Sequence, residues 1–260
     1  MDHEAIEELG FTGRIESLRR IKRFASFRPM FYRPDLYMHT IHNLAMIERL
    51  DKILQVFFSD SEIKRMKVLA LVHDDHEPFS KNGDVEYSAK LRMTPEEQAE
   101  FEKQELIDIR ATSINSPRKI YGFNYEGLLL EGHCKDSRVS QAASFIDKLQ
   151  ALGSSIHEAL AGNKRFFEPV NGNKPPYIGS DTQRLREKYT LIADLFKADH
   201  LLFAPFQIPE LSEVLDIGKP HTKESILHPT GIAHYDFWKF ALLEKNKQQG
   251  LEWLTKQVEF

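Results

Sequence analysis

The chain has little of several things. One of its 260 residues is cysteine, Cys134, so no intrachain disulfide can form, and a reducing, cytoplasmic compartment is the expectation. No run approaches the ~18 consecutive apolar residues of a membrane-spanning helix. The opening stretch MDHEAIEELG is acidic and has no apolar core, so no secretory signal is expected. Neither sign of charge dominates: 35 Lys and Arg stand against 39 Asp and Glu, a formal net charge of −4. That balance disfavours a protein that coats nucleic acid or an anionic membrane through bulk charge. Repeats and low-complexity tracts are absent, and period-two strand patterns nearly so.

What is present is core material and helical periodicity. At 41% hydrophobic and 28% charged, with 18 Phe, the chain is too apolar for a disordered polymer and too long for a disulfide mini-protein. Ile15, Leu18, Ile21 and Phe24 recur at helical spacing, with Thr12 as the expected N-cap. A second helix is expected over 37–58, with Leu44, Ile47, Leu50, Ile53, Leu54 and Phe57 on one stripe. Ser59 and Glu62 form a capping-box pattern that opens a third helix through Met66, Leu69 and Ala70, ended by Pro78. Thr94-Pro95-Glu96-Glu97 starts another, to about Ser113. Residues 119–131 read as helical, and a strong helix is expected over 137–161. Asn171-Gly172-Asn173 and Pro175-Pro176 mark a loop over 162–179. A helix over 182–200, an irregular proline-containing stretch over 204–231 and a helix from about His234 follow. The expected class is all-α, with a minor hairpin in the tail at most. The expected organisation is a helical core over 12–165, with C-terminal helices and an irregular extension over 166–260 packed on it.

Three places stand out among eleven histidines. His42 lies early in the second helix. His73-Asp74 ends the apolar run Val68–Val72. Asp147 sits inside Ala142–Leu149, beside Phe145, Ile146 and Leu149. A buried carboxylate is costly unless it is paired or binds a cation. Two imidazoles and two carboxylates make a mixed site for one divalent ion, unlike a cysteine-rich structural zinc site.

The order His…His-Asp…Asp on successive helices resembles the HD-domain metal-dependent phosphohydrolases. The stretch His73-Asp74-Asp75-His76-Glu77-Pro78-Phe79-Ser80-Lys81-Asn82-Gly83-Asp84, with Lys90 six residues on, is similar to the branch that contains the 5'-deoxynucleotidases. The resemblance spans roughly residues 14–160. It implies a helical HD-domain bundle whose metal ligands are His42, His73, Asp74 and Asp147. It implies that Glu77 acts in acid/base catalysis and that Asp84 contacts the substrate at a sugar hydroxyl. Arg28 or Arg33, with Lys90, would hold phosphate. The ion would be one of Mn, Co, Fe, Zn, Ni or Mg, the substrate a nucleotide, and the assembly a homodimer. His39 competes with His42; His42 is favoured because Asn43-Leu44-Ala45-Met46 after it resembles the family's helix continuation. Ile41 stands where the family carries an acidic residue, one extra residue separates Glu77 from Gly83-Asp84, and the upstream Arg segment lacks the branch's tryptophan. His133 is a candidate extra ligand. The cluster Arg14, Arg19, Arg20, Lys22, Arg23, Arg28 and Arg33 reads either as a solvated face or as an attractor of phosphate.

The expected activity is release of phosphate from (deoxy)nucleoside 5'-monophosphates. Hydrolysis of nucleoside triphosphates to triphosphate, or cleavage of a nucleotide pyrophosphate, is the alternative within the fold. A non-catalytic nucleotide or metal sensor is the alternative of another class. A single-strand nuclease is disfavoured by the acidic balance.

Overall fold

The computed structural model describes residues 1–24, 34–81, 83–114, 116, 118–160 and 187–195. It is helical, as the periodicity predicts. The described residues form α1 (His3–Glu8), α2 (Arg14–Arg20), α3 (Leu36–Leu54), α4 (Asp60–Val72), a 3-10 turn (Glu77–Phe79), α5 (Tyr87–Lys90), α6 (Pro95–Ile114), β1 (Lys119–Ile120), β2 (Phe123–Asn124), α7 (Tyr125–Cys134), α8 (Arg138–Leu160) and a second 3-10 segment (Thr190–Leu195). The chain divides into two compact units. The first holds Met1–Ser26 and Arg33–Asp147, and the second, of which 148–160 and 187–195 are described, begins its main run at Lys148. No helix among the described residues is long and apolar enough to cross a membrane. The expected loop over 162–179, the stretch over 204–231 and the helix from His234 lie outside the described residues.

Local chemistry sets most of the helix ends. At α4, Ser59 accepts from the Glu62 amide while Glu62 accepts from the Ser59 amide at 2.8 Å, a reciprocal capping box. Thr94 and Glu97 do the same for α6. Ser137 caps α8 by accepting from the Ser140 amide at 3.0 Å. The start of α2 departs from expectation. Its cap is Gly13, at φ 80°, and not Thr12. Glu7 of α1 replaces a side-chain cap by accepting from the Ile15 amide at 2.8 Å. α3 ends at Leu54, short of the expected 58, where the Phe57 and Phe58 amides both turn back to the Leu54 carbonyl.

The helix expected over 119–131 begins only at Tyr125. Before it lies a hairpin in which Lys119 pairs with Asn124 and Ile120 with Phe123. Its two loop residues, Tyr121 and Gly122, both have positive φ, at 49° and 91°. That is the backbone of a tight turn whose twist matches antiparallel strands. Asn124 then caps α7 by accepting from the Gly127 amide.

Helix α4 is the centre of the first unit. Val68, Leu69, Ala70, Leu71 and Val72 are all buried, so its last turns are surrounded on every side. α3 packs along it through a face that includes Ile47, Leu50 and Leu54, and α7 lies across it. Gly132 lets α7 approach: a Cβ there would meet His73 Cβ at 3.3 Å.

A buried polar network ties the N-terminal helices to this core. Arg14 donates to both carboxylate oxygens of Asp75, at 2.7 and 2.6 Å, and to the Leu71 carbonyl. Tyr125 donates to Asp75 at 2.9 Å. Arg14 also faces His3 Nδ1, and His3 Nε2 lies 2.8 Å from the Thr40 hydroxyl. Such a charge pair is cheap to keep only when every donor and acceptor is met.

Candidate metal centre

The first unit brings three helices and one strand-like bridge to a single point. Asp35 opens α3 by accepting from the Met38 amide at 2.9 Å, which sets His39 in the first turn with no solvent exposure. His73 is the residue after α4, and its amide still donates to the Leu69 carbonyl. Its Nδ1 lies 3.2 Å from the Ala70 carbonyl oxygen, which can only accept. With Nδ1 turned to that carbonyl, Nε2 is the ring atom that faces Asp74. Asp74 follows at once, and Asp147 reaches in from α8 after buried Phe145 and Ile146.

The donor atoms are close. His39 Nε2 lies 3.0 Å from Asp147 Oδ1 and 3.5 Å from Asp74 Oδ2, and His73 Nε2 lies 3.2 Å from Asp74 Oδ1. One ligand atom each from His39, His73 and Asp74 falls within 4.8 Å of the others. With bonds of ~2.1 Å, neighbouring donors around a six-coordinate ion are ~3.0 Å apart, so these spacings suit one small cation. Asp74 Oδ2 is buried and has no hydrogen-bond partner among the described residues, with His39 and Arg23 at 3.5 and 3.8 Å, so a cation held there would meet an acceptor not yet bonded. Imidazole and carboxylate donors without thiolate match Mn, Fe, Co, Ni or Zn better than a structural zinc site does. The residues present fit a divalent metal.

Among the described residues, Arg23 is the guanidinium that lies against Asp74 and Asp84. Lys22 forms an antiparallel bridge with Asp35, reinforced by a bond from the Arg23 amide to the Pro34 carbonyl at 3.0 Å. This sets the Arg23 side chain against the start of α3. Its Nη1 lies 3.8 Å from Asp74 and 3.9 Å from Asp84. Burial alone would weaken its hold on the proton, but Asp84, Asp147, Asp74 and Glu77 outweigh it and raise its pKa.

Among the described residues, four carboxyl groups act on Arg23, and three of them have shifted pKa values of their own. Burial, then the neighbouring Asp74 and Asp84, push the Glu77 carboxyl well above its usual range. Burial raises Asp84 too, against the pull of Arg23. Burial also opposes ionisation of Asp74, yet His73, His39 and Arg23 together hold its pKa below the ordinary value. Burial, then Arg23, lowers the His39 pKa and keeps the imidazole neutral, as a metal ligand must be.

Of the four expected ligands, His73 and Asp74 fall in one group, and Asp147 lies 3.0 Å from that group's His39 without being in it. His39, not His42, is in the group with His73 and Asp74. The two lie three residues apart, about 60° around the same helix. Only the earlier one faces both Asp74 and Asp147. His42 is buried, and its pKa is lowered to about 4 by burial and by His39. Glu77 and Asp84 stand close enough to Asp74 and Arg23 to be shifted by them. Lys90 is paired with Glu105 at 3.2 Å and sits over the Phe101 ring. His133, the extra-ligand candidate, lies 3.5 Å from the same Glu105 and is not in the metal group. Arg28 and Arg33 lie outside the described residues.

Arg23 and Asn43 are the site residues that sequence reasoning missed. Arg23 was legible only as a member of the basic cluster, and that cluster is not one face. Arg20 pairs on the surface with Glu16, whereas Arg14 and Arg23 turn inward to Asp75 and Asp74. Asn43 Nδ2 lies 3.1 Å from His39 Nε2. It had one signal, its position four residues after a histidine on the same helix face. No protein-family model, curated protein or solved structure matches the chain.

Proposed function

We propose that the chain is a divalent-metal-dependent phosphohydrolase acting on nucleotides, releasing phosphate from (deoxy)nucleoside 5'-monophosphates. The observation that carries this reading is the grouping of His39, His73 and Asp74 within reach of one ion, with Asp147 3.0 Å from His39 and Arg23 3.8 Å from Asp74. When bound there, a divalent cation polarises a phosphoryl oxygen and makes coordinated water more acidic.

The chain's own residues supply the rest. Arg23 offers a planar, permanently charged donor group to phosphate oxygens. Its Nε is buried and has no hydrogen-bond partner among the described residues, so a donor is left for an incoming anion. Glu77, whose carboxyl is pushed well above its usual range by burial, Asp74 and Asp84, would serve as the proton donor to the departing sugar oxygen. A cation at the centre would oppose part of that shift. Asp84, 3.9 Å from Arg23, would accept from a sugar hydroxyl while Arg23 holds the phosphate. Lys90, bound to Glu105, adds positive potential near Glu77 and Asp84 without being free to chelate.

The test is to incubate purified protein with Mn²⁺ or Co²⁺ and a panel of nucleoside mono-, di- and triphosphates, and to identify the products. Inorganic phosphate from 5'-monophosphates is the expected result. Triphosphate from nucleoside triphosphates would redirect the substrate assignment within the same chemistry. No product from any nucleotide, with metal shown to be bound, would overturn the enzymatic reading and leave a sensor.

A further inference from the structure

The surroundings of His39 Nε2 cannot all be satisfied by any protonation state of the ring. Asp147 Oδ1, at 3.0 Å, is an acceptor and calls for a proton on Nε2. Asn43 Nδ2, at 3.1 Å, is a donor and calls for a lone pair on the same nitrogen. Asn43 is 1% exposed, so water does not relieve the conflict. The other end of its amide, Oδ1, is buried and has no hydrogen-bond partner among the described residues. The two ends of a side-chain amide are nearly the same in shape, so a half-turn about the last torsion exchanges them without repacking. A divalent cation between His39, Asp74 and Asp147 would satisfy Nε2 and both carboxylates together, and it would repel the amide NH2.

We propose that Asn43 is a further member of the metal site: on cation binding its amide turns over, and Oδ1 becomes an oxygen donor facing the ion. The inference rests on the metal centre proposed above and adds a residue to it. The half-turn gives up one bond, from Nδ2 to Nε2, which the metal displaces in any case. It gives the buried, unmet Oδ1 a partner in the ion and carries the NH2 to the place that Oδ1 leaves. A spacing of 3.1 Å from Nε2 is that of neighbouring donors on one small ion. A neutral amide oxygen beside two carboxylates makes the site richer in hard oxygen and shifts its preference towards Mn²⁺ or Mg²⁺ relative to a site of imidazoles alone.

Titration of the full chain with Mn²⁺ by calorimetry, for wild type, Asn43→Leu and Asn43→Asp, tests this without any substrate. Asn43→Leu keeps the volume and is expected to weaken binding about 10–100-fold, the range for groups that support a metal site. Asn43→Asp is expected to tighten it. In ¹⁵N-labelled wild type, the Asn43 side-chain NH2 resonances, assigned by their loss in Asn43→Leu, are expected to move on addition of diamagnetic Mg²⁺ or Zn²⁺. Wild type that binds metal while Asn43→Leu binds within about threefold of it, with NH2 resonances that stay in place, refutes the role of Asn43 alone. A folded wild type that binds no Mn²⁺ refutes the metal centre and this inference together.

Discussion

His3 provides a sharp test of the buried network. Its Nδ1 faces Arg14 and its Nε2 faces the Thr40 hydroxyl, which itself donates to the Leu36 and Tyr37 carbonyls. The neutral ring meets both partners, accepting at Nδ1 and donating from Nε2. A second proton would point at the Arg14 guanidinium. Burial first and Arg14 second lower the His3 pKa from the usual 6.5 to about 3. A group with a depressed folded pKa gives stability that is present above its unfolded pKa and lost as pH falls. Between pH 7 and pH 5 the unfolded chain takes up this proton while the folded one does not, a loss of about 2 kcal/mol from His3 alone. The figure barely depends on the folded value so long as that lies well below pH 5. Replacing His3 with Asn keeps an acceptor for Arg14 but removes the titration. The variant should be less stable at pH 7, by about 1–3 kcal/mol for the lost Thr40 bond. It should also lose about 2 kcal/mol less than wild type between pH 7 and pH 5. Urea denaturation of both proteins at both pH values measures the double difference, from which the other buried histidines cancel. Equal pH losses in the two proteins would refute the neutral, buried assignment of His3.

Three further outcomes are expected. His39→Gln should weaken Mn²⁺ binding by more than about 100-fold, beyond the range for outer-sphere partners, whereas His42→Gln should stay within about threefold. Calorimetric titration decides, and the reverse order would restore His42 as the ligand. Glu77→Gln should lower kcat on a 5'-monophosphate by about 10²–10⁴ with Mn²⁺ affinity nearly unchanged, since a proton donor is lost and no ligand is. An equal fall in metal affinity would make Glu77 part of the cation site instead. Gly132→Ala should weaken metal binding while leaving most of the fold intact, because the new methyl group presses on His73 at 3.3 Å. Unchanged affinity would mean that α7 gives way and His73 does not.

Much of this architecture is legible in the amino acids because it is local. Ser59 with Glu62 and Thr94 with Glu97 act within one turn, so each pattern alone marks a helix start. Asp74 and Asp147 are conspicuous because a carboxylate amid apolar residues demands a partner wherever the helix goes. What could not be read depends on distant neighbours. Whether His39 or His42 faces the centre is decided by where α4 and α8 lie against α3, and both histidines share the same helix and a similar local environment. Arg23 is brought in by the Lys22–Asp35 bridge, a pairing across an intervening segment that no periodicity announces. The hairpin before α7 hides because Tyr121, not a second glycine or asparagine, takes one of its two positive-φ places.

The ligands of the proposed centre come from far apart along the polypeptide, with His39 at the start of α3 and Asp147 the last residue of the first unit. An ion held by both would work as a reversible rivet, closing a loop of about a hundred residues that an unfolded chain has no reason to close. Its binding free energy then counts towards folding: at a hundred times the dissociation constant it adds about 2.7 kcal/mol. Chelation should therefore make the polypeptide more vulnerable to heat and to proteases, quite apart from any chemistry the site performs.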